Sequence, residues 1–130
     1  MEVVRQWVAK ADNDLKNAVH TLLMGEDCPL DTVCFHAEQC AEKYLKALLA
    51  FQGIDFPKTH DLGELVALLP DKDRFPLSVD DCERLTDYAI VTRYPGDWGT
   101  IDRQDAEQAV TLAKQVRDAI RGLLPREVFE

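Results

Sequence analysis

A chain of 130 residues with 46% apolar and 30% charged side chains has the makeup of one ordinary globular domain, large enough to bury about two thirds of its unfolded surface. Its net charge of −9, with no basic stripe, argues against a broad nucleic-acid surface, whose affinity rests on phosphate contacts. No apolar run approaches the roughly 20 residues of a membrane span, MEVVRQWVAKADNDL lacks the pattern of a signal peptide, and the chain reads as cytoplasmic.

From about Val3 to Met24, the residues Val4, Trp7, Val8, Ala11, Leu15, Ala18, Val19 and Leu22 share an arc of roughly 120°, which predicts a helix with one core-facing stripe. Asp14, at the edge of that stripe, reads as a boundary carboxylate. Gly25 ends the helix, and a turn as short as GEDCPL makes the first two helices an antiparallel pair.

The second helix runs from a cap at Asp31 to a stop at Gly53 with no internal Gly or Pro. Val33, Ala37, Cys40, Ala41, Tyr44, Leu45, Ala47, Leu48, Leu49 and Phe51 fill an arc of about 200°, too wide for a helix resting on one neighbour. It is therefore expected at the centre of the fold. Its remaining surface holds His36, Gln39, Glu42, Lys43 and Lys46, a mixed polar stripe that either builds a site or faces water. The four cysteines (Cys28, Cys34, Cys40, Cys82) have no C-x-x-C spacing and read as buried structural thiols.

Pro57 forbids helix, and Thr59 or Asp61 caps a short helix over Leu62 to Leu69. His60, in the turn before it, reads first as a local hydrogen-bonding residue and second as a ligand contact. Ser78 or Asp80 caps a fourth helix that ends near Val91. TRYPGDWGTID has no helical period and reads as a loop. Arg93 and Tyr94, fixed before Pro95, suit an anion and a ring, because guanidinium forks onto phosphate and aromatic faces stack on bases; Trp98 offers a second face. The alternative is that Tyr94 and Trp98 plug the end of the bundle while Arg93 pairs with a carboxylate. The last helix spans about Asp105 to Leu124, with Ala106, Ala109, Val110, Ala113, Val116, Ile120, Leu123 and Leu124 on one face. Pro125 closes the domain and REVFE is expected to fray.

The fold class is therefore all-α: an up-and-down bundle of four main helices with a short fifth, one domain over residues 1–124 and a tail over 125–130. The chain has no phosphate-cradling Gly loop, no H-E-x-x-H and no nucleophile elbow. His20 and His36 lie on different helices and no Glu-x-x-His pair occurs, so neither a metal site, nor a cofactor, nor a catalytic set is expected.

Several blocks together resemble one family. W-x3-A-x2-DL (Trp7, Ala11, Asp14, Leu15) precedes CFHAEQCAEKYLKALL (Cys34 to Leu49); THDL (Thr59 to Leu62), LTDYA (Leu85 to Ala89), RYP (Arg93 to Pro95) and an alanine-rich last helix follow. From about Val4 to Leu124 this is similar to HEPN domains, small bacterial and archaeal helical bundles. The resemblance implies a homodimer, often encoded beside a minimal nucleotidyltransferase, in pairs that include toxin–antitoxin systems. Many members are ribonucleases with an Arg-x4–6-His motif, in which His acts as general base on the ribose 2′-OH and Arg stabilises the phosphate. Here that spacing from Arg93 reaches Trp98, Gly99 and Thr100, and only Arg5 precedes the last His, so the motif is absent. The RYP-type branch has been regarded as nucleotide-binding.

The expectation is a non-catalytic binding module for a nucleotide of the ATP or GTP class, or for a loop of a nucleotidyltransferase partner, in a cleft between the central helix and the RYP loop. Arg93 would take phosphate, Tyr94 or Trp98 would stack, Lys43 and Lys46 would supply charge, and Gln39 and His60 would read polar groups. The alternatives are a ribonuclease toxin with a rearranged Arg93–His60 site and a purely structural dimeric adaptor.

Overall fold

The computed structural model describes residues 1–91 and 101–130, with side chains through Ala89 in the first stretch. Arg93, Tyr94 and Trp98 lie outside the described residues. Five α-helices follow one another: α1 (Glu2–Leu22), α2 (Leu30–Phe51), the short α3 (Leu62–Ala67), α4 (Val79–Val91) and α5 (Arg103–Arg121). No strand occurs among the described residues, and the all-α bundle of four main helices and a short fifth is the expected one.

The helix ends follow from local chemistry. Gly53 adopts φ +71°, its N–H donates to Ala50 O at 3.1 Å, and Ile54 N–H reaches Leu49 O at 2.9 Å. That is a Schellman stop, in which Gly supplies the left-handed residue and orphan carbonyls find partners. At α5, Asp102 Oδ1 accepts from Asp105 N–H at 2.8 Å while Asp105 Oδ2 accepts from Asp102 N–H at 3.1 Å. This reciprocal capping box starts α5 at Arg103, two residues before the expected Asp105. Ser78, not Asp80, caps α4 through its Oγ on Asp81 N–H at 3.1 Å. Asp61 caps α3, and Thr59 Oγ1 accepts from Asp61 N–H at 3.1 Å to hold the turn before it. Asp31 is not a cap: α2 starts from Pro29, and Asp31 sits in the first turn, where a negative charge suits the helix dipole.

α2 is the hub, packed against α1, α3, α4 and α5. Alanines at the contacts (Ala11, Ala18, Ala37, Ala41, Ala106, Ala113) are fully buried and let the backbones approach, while Tyr44, Leu45, Leu49, Leu65, Leu85 and Ile120 fill the space between. All four cysteines are buried and unpaired.

Two expectations change. Phe51 and Leu123, assigned to the core by period, are 41% and 59% exposed. α2 stops at Phe51 and α5 at Arg121, so the helical phase that would turn these side chains inward ends there. In the expected tail after Pro125, residues 126–129 form a 3-10 turn with Val128 buried. Arg5 of α1 donates to Glu127 O at 2.9 and 3.3 Å, and the Arg121 guanidinium lies 4.1 Å from the centre of the Phe129 ring. No helix among the described residues is long and apolar enough to cross a membrane.

Candidate functional site

The polar stripe of α2 is mostly inside the protein. Glu38, Gln39, Glu42 and Lys46 recur at helical spacing, and none is more than 8% exposed. Burying such a row costs free energy unless its members satisfy one another.

Glu42 is the common acceptor. Its Oε2 accepts from Lys46 Nζ at 2.9 Å, and its Oε1 accepts from His60 Nδ1 at 2.8 Å and more weakly from Gln39 Nε2 at 3.5 Å. His60 reaches it because the chain reverses after Gly53 and runs back through the Pro57 segment. Gln39 Nε2 also donates to Glu38 Oε1 at 2.6 Å. The second oxygen of Glu38 is buried with no hydrogen-bond partner among the described residues. Burial, and then the negative charge of Glu42, push the Glu38 carboxyl well above the ordinary range, so it holds its proton more tightly than a solvated glutamate.

Lys46 is caged as well as paired. Its ammonium lies 5.5 Å from the Trp7 ring centre and 5.9 Å from that of Phe56, and the two rings meet edge to face at 6.1 Å. Trp7 thus serves α2's charge as well as the core.

A separate polar tie joins α1 to α2. Asp14, read from the sequence as a boundary carboxylate, is only 8% exposed and accepts from Lys43 Nζ at 2.6 Å and His36 Nδ1 at 2.9 Å. A third tie binds the other side of α2. The Tyr44 hydroxyl donates to Asp12 and lies 3.4 Å from Arg121 Nη1, which is itself 3.6 Å from Asp12 Oδ2.

At the N-terminal part of α2, the ends of α4 and α5 draw in. Burial chiefly, and then nearby groups that include Asp105, push the Tyr88 hydroxyl of α4 up to about 12.

The HEPN domain model matches residues 4–123. The chain belongs to the HEPN domain family. It is 26% identical to the Methanocaldococcus jannaschii protein named "Putative toxin MJ1304", over 95% of this chain and 90% of that protein. The crystal structure of TT1696 from Thermus thermophilus superposes with a TM-score of 0.79 at 28% identity, covering 95% of this chain and all of the other. That of ST0689, described as an archaeal HEPN homologue, gives a TM-score of 0.70 at 26% identity, with 92% and 96% covered.

Within this HEPN bundle, Gln39, Lys46 and His60 converge on Glu42, whereas Lys43 belongs to the separate Asp14 tie. Both lysines are held by carboxylates, so neither stands as a free phosphate-binding charge. His60 is not the local turn residue of the first sequence reading, since its partner lies 18 positions away. Sequence reasoning passed over Glu38 and Asp14 as acceptors. The i, i+4, i+8 run of Glu38, Glu42 and Lys46 is a visible signal; the cross-helix Asp14–Lys43 pair has none.

Proposed function

We propose that this HEPN domain is a binding module of a toxin–antitoxin-like pair, holding an ATP- or GTP-class nucleotide or a loop of a minimal nucleotidyltransferase. The observation that carries the reading is the buried Gln39–Glu42–Lys46 row on the central helix, with the half-exposed His60 of the following loop bonded to it. An apolar row of similar volume is often as stable or more so, and the polar cluster therefore supports a role beyond packing. Arg93 would take phosphate, because Lys43 and Lys46 are already paired, and Tyr94 or Trp98 would stack on the base. The absence of the Arg-x4–6-His spacing supports binding over cleavage. The relative named as a toxin supports the toxin–antitoxin setting.

Calorimetric titration of the purified protein with ATP and GTP tests this. Heat in the wild type that disappears in Arg93→Ala is the expected result. No heat at about 1 mM of either nucleotide, together with no capture of a nucleotidyltransferase encoded beside it, would sink the reading.

The module would act as a homodimer. An apolar groove lined by Leu48, Leu69, Phe75, Ile120 and the exposed Leu123 is a face suited to a second copy. Light scattering on the wild type and on Leu123→Arg is the check; a monomeric wild type rejects it.

A second reading, a ribonuclease toxin with a rearranged site, is favoured by one contact. His60 donates from Nδ1 to a buried carboxylate and is half exposed, which is how a general base is oriented with its other nitrogen available. RNA cleaved by the wild type and left intact by His60→Ala and Arg93→Ala would establish it. Intact RNA with the wild type would remove it.

A further inference from the structure

We propose that Glu38, Glu42 and His60 form a binding site for one divalent transition-metal ion of the manganese or zinc class. Each offers one ligand atom, and the three atoms all lie within 4.8 Å of one another. Ligands bound at about 2.1 Å stand roughly 3 to 4 Å apart around one ion, so modest side-chain rotation brings this set to a common centre. The 2.8 Å separation of His60 Nδ1 and Glu42 Oε1 already falls near that spacing.

Three features distinguish the set from an ordinary acidic cluster. The first is its chemistry: two carboxylates with one imidazole suit manganese, iron or zinc better than magnesium or calcium, which take oxygen ligands. The second is the buried Glu38 oxygen that no donor group among the described residues reaches, whereas nearly all buried polar atoms of folded proteins are paired. The neighbouring Glu42 carboxylate can bond to Glu38 only through a shared proton, and a metal would take the place of that proton. The third is the support around the set. Gln39 Nε2 holds Glu38 at 2.6 Å and Lys46 holds the far oxygen of Glu42 at 2.9 Å, orienting both carboxylates while leaving an oxygen of each for the ion.

Charge fits as well. Two glutamates one helical turn apart repel when both are ionised, and a cation between them removes that repulsion. Lys46 balances one carboxylate, so a dication leaves one surplus positive charge, which water or a bound anion would meet at the remaining positions. Ligation by His60 Nδ1 would replace its present hydrogen bond to Glu42. The spacing rules applied to the sequence miss this site because its nitrogen comes from a loop 18 residues past Glu42, not from a Glu-x-x-His pair.

Binding of the ion does not depend on nucleotide binding. The test is titration of the full, chelator-treated protein with manganese chloride, following the free aqueous ion by electron paramagnetic resonance. Manganese avoids confusion with the four thiols, which zinc would also find. The expected result is loss of free signal saturating at one ion per chain, with affinity at least tenfold weaker in Glu38→Gln and in His60→Gln. Glu26→Gln, on the exposed turn after α1, serves as the control for general acidity and should bind as the wild type does. If Glu38→Gln fails to fold by circular dichroism, His60→Gln decides alone, since that ring is 42% exposed and sits in a loop. Free signal unchanged to millimolar manganese, or several weak sites untouched by either variant, overturns the proposal.

Discussion

Lys46 and Glu42 form an ion pair at 2.9 Å on the central helix with side chains only 9% and 3% exposed. A pair at i, i+4 is ordinary on a helix surface, where it contributes a few tenths of a kcal/mol. Inside a bundle the same pair behaves differently, because removing one member strands the other without water. Lys46→Met should therefore cost about 3 kcal/mol in urea unfolding, and Glu42→Gln a similar amount. The double variant should recover much of that loss. Two additive losses would mean that the pair is solvated and that the cluster is not a buried unit.

The Tyr44 hydroxyl ties three helices through Asp12 and Arg121, while its ring fills the core. Tyr44→Phe keeps the ring and removes the tie. A loss of about 1 kcal/mol is expected, the ordinary net value of a hydrogen bond to a group that keeps other partners. In a double-mutant cycle, Arg121→Ala should cost less when combined with Tyr44→Phe than in the wild type. Equal cost in both would show that Arg121 acts through the Phe129 ring instead.

The thiols give the fold an alkaline limit. Burial, then nearby aspartates, push Cys34 up to about 12 from 9.0, and burial and Asp81 push Cys82 up to about 11. Cys40 is raised still further. Above pH 9 the unfolded chain loses thiol protons that the folded chain keeps, so the folded state binds more protons and stability falls with rising pH. Stability should be flat with respect to these groups below pH 9 and decline from there through about 12. At pH 8 a disulfide reagent should leave Cys34, Cys40 and Cys82 unmodified until the protein is unfolded. Fast native labelling of any of the three would contradict their burial.

Gly53 is required by conformation and not by space. Its φ is +71°, yet a Cβ built there meets nothing within 4 Å. Gly53→Ala should cost about 1 kcal/mol, the strain of an L-residue in the left-handed region, and Gly53→Asn less. Thermal unfolding of both variants is the check; equal losses would point to a clash that the geometry does not contain.

How far the sequence carried is clear from particular residues. The helices were legible because apolar period, Gly53 and the Asp102–Asp105 capping pair are local signals that tertiary context did not override. The site was half legible. Gln39, Lys46 and His60 stand out in the sequence for their polarity on the central helix and its following turn, and they do meet. What joins them, Glu42, reads in the sequence as one member of a stripe that either builds a site or faces water, because a helical wheel cannot say that the His60 turn will reach that face. Asp14 is legible only as a boundary carboxylate for the same reason: its partners Lys43 and His36 lie on another helix, and no spacing rule connects them.

The last turn of the chain provides a clean separation between the sequence expectation and the structure. A frayed tail can be deleted at no cost. Here Val128 is only 6% exposed within the core, and Arg5 donates twice to the Glu127 carbonyl. Deleting residues 126–130 removes a buried valine side chain, about 1.5 to 3 kcal/mol of apolar burial, together with the Phe129 ring on Arg121 and an exposed contact of small value. A loss of about 2 kcal/mol in urea unfolding is therefore expected, with little change in the slope against denaturant. Val128→Ser in the full-length chain should reproduce most of it, because the hydroxyl gains no partner there, whereas Arg5→Ala should reproduce little. If truncation leaves stability unchanged while Val128→Ser lowers it, the valine pocket is refilled by neighbouring side chains once the turn is gone. If neither changes stability, the turn is not packed in solution and the domain ends at Leu124.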